Sequence, residues 1–185
     1  MKIYHSFSSE ETKLLGDRIA KQVFRLRLKL RTDAVGFRFP AFAKASAGKQ
    51  VSRKKGNPPS LKLRRGEGAF ILALRGDLGT GKTTFSQGFL RGLGVRGRVS
   101  SPTFLLMKRF KLKNGRFKNV YHIDCYRVKK SAELSSLGLK EVFENPENIV
   151  LVEWPERLGG NLPKKRVNLV FKHGKDEKVR TIKVV

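Results

Sequence analysis

The residues Gly76-Asp77-Leu78-Gly79-Thr80-Gly81-Lys82-Thr83 fit the pattern G-x-x-x-x-G-K-[ST]. They follow the short apolar run Ala69 to Leu74 and precede a segment with helical character from Thr83 to about Gly92. That order of strand, loop and helix is the context in which the pattern binds phosphate. The glycines permit backbone torsions that point successive N–H groups at phosphate oxygens. The helix behind the loop turns the positive end of its dipole on the same anion. Lys82 is placed to reach the β- and γ-phosphates, and the Thr83 hydroxyl to reach a Mg²⁺ ion. The competing reading is an ordinary glycine-rich turn.

A triphosphate site of this kind also needs an acid near the metal, at the end of a neighbouring strand. Glu153 ends the run Ile149–Val152, and Asp124 follows Val120–Ile123. At the carboxyl edge of one sheet, one acid can hold Mg²⁺ while the other orients or deprotonates the attacking water. A solvated strand-end acid is the alternative for each. Thr103, in a Ser-Pro-Thr loop about twenty residues after Lys82, suits a loop that senses the γ-phosphate, or else a plain turn fixed by Pro102. His122 lies two residues before Asp124 and reads as a core histidine with a satisfied hydrogen bond. Trp154 suits either the nucleotide or the core. Three histidines and one cysteine, Cys125, show no metal-ligand spacing.

The elements that must position these groups are legible in part. Ser8 with Glu11 three residues on forms a capping box, and Leu15, Ile19 and Val23 share one face, so a helix is predicted from about Ser9 to Phe24. Ala69–Leu74 and Asn148–Val152 read as buried parallel strands. Phe104–Lys111 and Phe117–Ile123 read as a hairpin turning at Asn114-Gly115. Ala132–Phe143 reads as a helix, and Arg166–Lys172 and Lys178–Val185 as two alternating strands. The expected fold is α/β, a P-loop type of three layers with a mixed, mainly parallel central sheet.

Between the first helix and the P-loop strand, residues 25–65 hold thirteen Lys or Arg and one acid, Asp33. Arg25 to Arg31 alternates basic and apolar residues, which suits a strand or a fraying helix end. Pro40, Gly48, Gly56, Pro58 and Pro59 break any longer element. The segment reads as a basic insertion into one domain spanning 1–185. The chain as a whole has 41 basic and 15 acidic residues, a net charge of +26, which favours polyanionic partners such as RNA. General basicity of the source proteome explains the excess equally well. With 39% apolar residues, a folded chain is expected. One cysteine agrees with a reducing compartment. The apolar runs are too short to cross a bilayer, so a soluble cytoplasmic protein is expected.

Five motifs in order carry a resemblance: the P-loop through Thr84, Ser101-Pro102-Thr103-Phe104, Tyr121-His122-Ile123-Asp124-Cys125-Tyr126-Arg127, Glu133-Leu134-Ser135-Ser136-Leu137-Gly138 and Leu151-Val152-Glu153-Trp154-Pro155. Together they closely resemble the TsaE (YjeE) family of small bacterial ATPases over residues 1–24 and about 66–172. That family acts in forming threonylcarbamoyladenosine on tRNA, next to the anticodon. The resemblance implies ATP and Mg²⁺ as cofactors, Thr83 and Glu153 as metal ligands and Asp124 as the acid needed for hydrolysis. It also implies a switch-like loop at Thr103, and Thr12 near the base. It implies a weak ATPase that works with the TsaB and TsaD proteins and resets the modifying complex between turnovers. The family usually passes from the first helix to the P-loop strand by a short turn, so the insertion is a departure. Contact with tRNA phosphates and drift of a solvated loop both account for its charge. Two further classes compete. A small P-loop kinase would show an arginine-rich lid, and Arg96 and Arg98 alone do not make one. An RNA-binding protein without catalysis would not need the two acids. Arg127 is the nearest candidate for an arginine finger.

Overall fold

The computed structural model describes residues 2–29, 36–37, 61–62, 68–97, 100–102, 105–113, 115–129, 133–134, 137–174, 176 and 179–185. In chain order the elements are β1 (Lys2–Ser6), α1 (Ser9–Lys29), β2 (Gly36–Phe37), β3 (Leu61–Lys62), β4 (Phe70–Arg75), α2 (Lys82–Gly92), β5 (Met107–Lys111), β6 (Asn119–Asp124), α3 (Leu139–Glu144), β7 (Asn148–Glu153), β8 (Val167–His173) and β9 (Arg180–Val184). A 3-10 segment, Pro155–Asn161, follows β7.

Seven strands form one sheet in the order β1-β9-β8-β4-β7-β6-β5. The four central strands β8, β4, β7 and β6 are mutually parallel. β5 pairs antiparallel at one edge, and β9 and β1 at the other. β4 and β7 are buried on both faces, which is why they read as unbroken apolar runs rather than alternating ones. On one face Phe70, Leu72 and Leu74 pack with Leu15, Ile19 and Val23 of α1 and Phe85 and Phe89 of α2. On the other face Ile71 and Ala73 pack with Val150 and Val152 of β7, Val142 and Phe143 of α3, and Leu158. The sheet therefore lies between two helical layers, as expected.

Ser8 caps the helix as expected, while the return bond of the capping box goes to Phe7 instead of Ser8. The Glu11 N–H donates to Ser8 Oγ at 3.1 Å, and the Glu11 carboxylate accepts from the Phe7 N–H at 2.9 Å. A cap of this kind stabilises a helix by about 1 kcal/mol. α1 then runs to Lys29, past the expected end at Phe24, so Arg25–Lys29 continues the helix and is not a strand. Helix propagation from a formed turn overrides a period-two pattern that finds no strand to pair with. The first segment, Lys2–Ser6, gave no strand signal, yet it pairs with β9 from Lys2↔Val184 to Ser6↔Arg180. Within the predicted helix Ala132–Phe143, α3 is entered through Gly138 in a left-handed conformation, and Ala132, Ser135 and Ser136 lie outside the described residues. β5 begins at Met107 rather than Phe104, after Leu106 at φ 58°. Most of segment 25–65 and the hairpin residue Asn114 lie outside the described residues.

α1 and α2 cross at backbone contact. A Cβ on Gly88 would sit 2.0 Å from the Lys13 carbonyl oxygen, and one on Gly16 would sit 2.3 Å from that of Phe85. Only glycine permits this spacing, and it brings the start of α1 against the P-loop helix.

Candidate active site

The loop 76–81 joins β4 to α2. Gly76 has φ 137°, and a Cβ there would meet the Phe171 carbonyl oxygen of β8 at 2.2 Å. The loop is thus pressed on its neighbouring strand. The Thr80 hydroxyl donates to the Asp77 carbonyl at 2.7 Å and closes the turn. Lys82, at the start of α2, folds back into the loop. Its Nζ donates to the carbonyls of Gly76 at 2.6 Å and Asp77 at 2.7 Å, and lies 4.0 Å from the centre of the Trp154 ring. Burial holds its pKa below the ordinary lysine value, against the pull of Glu153 and other nearby acids. The ammonium is therefore partly desolvated, which strengthens its attraction for an entering phosphate.

Asp124 and Glu153 occupy equivalent ends of adjacent parallel strands and are register partners, and Leu74 at the end of β4 is the partner of Glu153 on its other side. Both acids are buried. Glu153 is held from three directions. Its Oε2 accepts from the Thr83 hydroxyl at 2.9 Å, and its Oε1 accepts from the Ser86 hydroxyl at 2.7 Å. His122 Nε2 lies 2.8 Å from the same Oε1. The other ring nitrogen of His122 has no partner, so this histidine is only half satisfied. Asp124 accepts at Oδ1 from the Tyr126 N–H at 3.0 Å and at Oδ2 from the Ser101 hydroxyl.

A cavity of about 230 Å³ opens between Lys82, Thr83, Ser101, Asp124 and Glu153, with Leu78 and Trp154 on its rim. A second, of about 480 Å³, adjoins it through Gly79, Gly81 and Thr84 and is walled by Ser8, Thr12 and Arg180. Thr12 therefore reaches the P-loop. Its hydroxyl is 2.7 Å from Ser6 Oγ and donates to the Ser8 carbonyl at 3.1 Å, while its methyl group faces Gly81. Thr103 lies outside the described residues. Sequence reasoning missed Ser86, which contacts Glu153 because it sits one turn after Thr83 on the same helix face. It also missed Arg180, for which no local signal exists. Cys125 is buried, its thiol pushed up to about 12 chiefly by desolvation, so it is no nucleophile at neutral pH.

The residues fit Mg²⁺. One hydroxyl and one carboxylate oxygen, 2.9 Å apart, are hard donors on one side of the cavity. Among the described residues, no cluster of three or more His, Cys, Asp or Glu offers an all-protein cage. Mg²⁺ is bound in just this way, by one or two protein oxygens with phosphates and waters.

The sheet order, the loop and the two acids define a P-loop nucleotide-binding protein of the α/β class. The crystal structure of Bacillus subtilis YdiB superimposes with a TM-score of 0.59 at 26% identity, covering 98% of this chain and 82% of that one. The chain belongs to the TsaE family: the model of that family, described as Threonylcarbamoyl adenosine biosynthesis protein TsaE, matches residues 42–182. Two proteins named tRNA threonylcarbamoyladenosine biosynthesis protein TsaE are each 41% identical to it. The one from Bacillus subtilis aligns over 62% of this chain and 70% of its own length. The one from Haemophilus influenzae aligns over 52% and 59%. Every motif from Gly76 onward falls inside the family match, and Thr12 lies ahead of it.

Proposed function

We propose that this chain is a Mg²⁺-dependent ATPase required for threonylcarbamoyladenosine modification of tRNA, working in the cytoplasm with the TsaB and TsaD proteins. It would act as one P-loop domain over 1–185, with residues 25–65 as an insertion. The observation that carries the reading is the convergence of Lys82, Thr83, Asp124 and Glu153 on one cavity. Lys82 and the N–H groups of residues 76–84 bind the phosphates. Thr83 and Glu153 hold Mg²⁺, which supplies charge neutralisation on the β- and γ-phosphates. Ser86 and His122 fix the Glu153 carboxylate and leave Oε2 toward Thr83. Asp124 orients the attacking water and accepts its proton. Each oxygen of Asp124 accepts one hydrogen bond, from Tyr126 and from Ser101, which orients the carboxylate and leaves acceptor capacity for that water. In this reading Thr103 senses the γ-phosphate. Thr12 walls the base side. The two acids favour this reading over RNA binding without catalysis, and family membership favours it over a small-molecule kinase.

Lys82→Ala is expected to weaken ATP binding at least about tenfold, since each charge-assisted hydrogen bond lost is worth about 1.5–3 kcal/mol. Fluorescent-nucleotide titration measures it, and unchanged affinity would reject the assigned role of Lys82. For the cellular function, depletion of the protein followed by mass analysis of tRNA is expected to show loss of threonylcarbamoyladenosine. Normal levels would reject the proposed function while leaving ATP binding intact.

No helix of the described residues is long and apolar enough to cross a membrane.

A further inference from the structure

A cleft of about 600 Å³ lies along the crossing of α1 and α2, apart from the two cavities of the nucleotide site. Its polar side chains are those of Lys13, Gln87, Arg91 and Arg96, and Gly94 and Gly97 add exposed glycine backbone. Arg91 and Arg96 are exposed. Among the described residues, neither is in an ion pair. Lys13 lies within electrostatic reach of Glu10, one turn earlier in α1. Among the described residues, no acid lines the cleft.

One face of α2 links the cleft to the nucleotide site. Thr84, Gln87, Gly88 and Arg91 follow at helical spacing, so they form one face of α2. Thr84 walls the nucleotide cavities at one end of that face, and Arg91 walls the cleft at the other. On the facing helix, Lys13 follows Thr12 directly. Beyond Arg96, the chain returns to Ser101, whose hydroxyl holds Asp124. An occupant of the cleft therefore contacts the segment that leads to the acid.

The composition of the wall selects the occupant. Arginine serves protein interfaces as well, but their buried centres rest on aromatic residues, methionine and other apolar anchors. Here the one such wall residue is Val95, and it packs inward against the core. Polar, cationic walls with exposed backbone suit the phosphate groups of a nucleic acid. The net charge of +26 attracts the same polyanion at longer range.

We propose that this cleft is a docking track for the phosphate backbone of RNA, leading to the nucleotide site. The choice of RNA as the polyanion rests on the proposed tRNA function. It does not depend on the segment 25–65.

The test is the affinity of the full chain for a labelled, unmodified tRNA transcript across a salt series. Wild type is compared with Arg91→Ala/Arg96→Ala and with Arg91→Lys/Arg96→Lys. Two lost phosphate contacts should reduce the slope of log affinity against log salt by about 1.5, and affinity at 0.1 M salt by about 30-fold. The double lysine variant should restore most of both, and ATP affinity should not change in either. Unaltered slope and affinity in the alanine variant overturn the proposal. So does a loss of tRNA and ATP binding shared by the lysine variant, because charge is kept there. Intact tRNA binding with lost capture of an acidic partner protein would assign the cleft to that protein instead. A positive result here with normal threonylcarbamoyladenosine in depleted cells would reject the proposed cellular function alone.

Discussion

Glu153→Ala is expected to abolish Mg²⁺-dependent ATP hydrolysis and to destabilise the protein in the same step. This buried carboxylate of β7 is hydrogen-bonded to the P-loop helix through Thr83 and Ser86 and to β6 through His122. Its removal takes away the proposed metal ligand, and a bound metal supplies several kcal/mol of transition-state stabilisation. A fall of at least about 100-fold in rate follows. The same change strands the fully buried ring of His122, which already has one unpartnered nitrogen. Removing one member of a buried pair costs about 3–5 kcal/mol. For a chain of this size that is on the order of 10 °C in melting temperature. Glu153→Gln separates the two effects. The amide oxygen still accepts from a hydroxyl, so stability is largely retained, while the charge needed by Mg²⁺ is gone. Steady-state hydrolysis with and without Mg²⁺, beside thermal melts, measures both. An unchanged rate in the glutamine variant would reject the metal assignment.

Gly88→Val is expected to damage the fold from outside the two nucleotide cavities. A Cβ at that position would lie 2.0 Å from the Lys13 carbonyl oxygen and 2.6 Å from its carbon, both backbone atoms. No rotamer change relieves a clash with backbone, so α1 must move away from α2. Overpacking of this kind costs up to about 3 kcal/mol and occasionally more. Separation of the helices also draws Thr12 back from Gly81, where its methyl group now walls the nucleotide cavity. The variant should therefore melt on the order of 10 °C lower and bind ATP more weakly. Melting within about 2 °C of wild type would show that the crossing relaxes freely, and would sink the idea that these glycines position the P-loop helix.

Much of the site was legible because its signals are local. The P-loop pattern, the apolar runs that become β4 and β7, and the acids that end β6 and β7 are each contained in a few consecutive residues. The Ser8–Glu11 cap is local in the same sense, and it forms. The misses arise where tertiary contact overrode local pattern. Lys2–Ser6 carries little strand signal, and only its pairing with β9, at the far end of the chain, makes it one. The helix expected from Ala132 is described as α3 only after Gly138.

By itself the sequence determined the phosphate-binding loop, its helix and the class of fold, because these follow from backbone torsions and hydrophobic periodicity over short spans. Only the tertiary structure decided which groups meet. Ser86 and Thr83 reach Glu153 from 67 and 70 residues away, and His122 from 31. Such contacts are set by strand order and register, which no local pattern encodes. The same holds for the cationic cleft, whose lysine and arginines belong to different parts of the chain and are joined by the close crossing of α1 and α2.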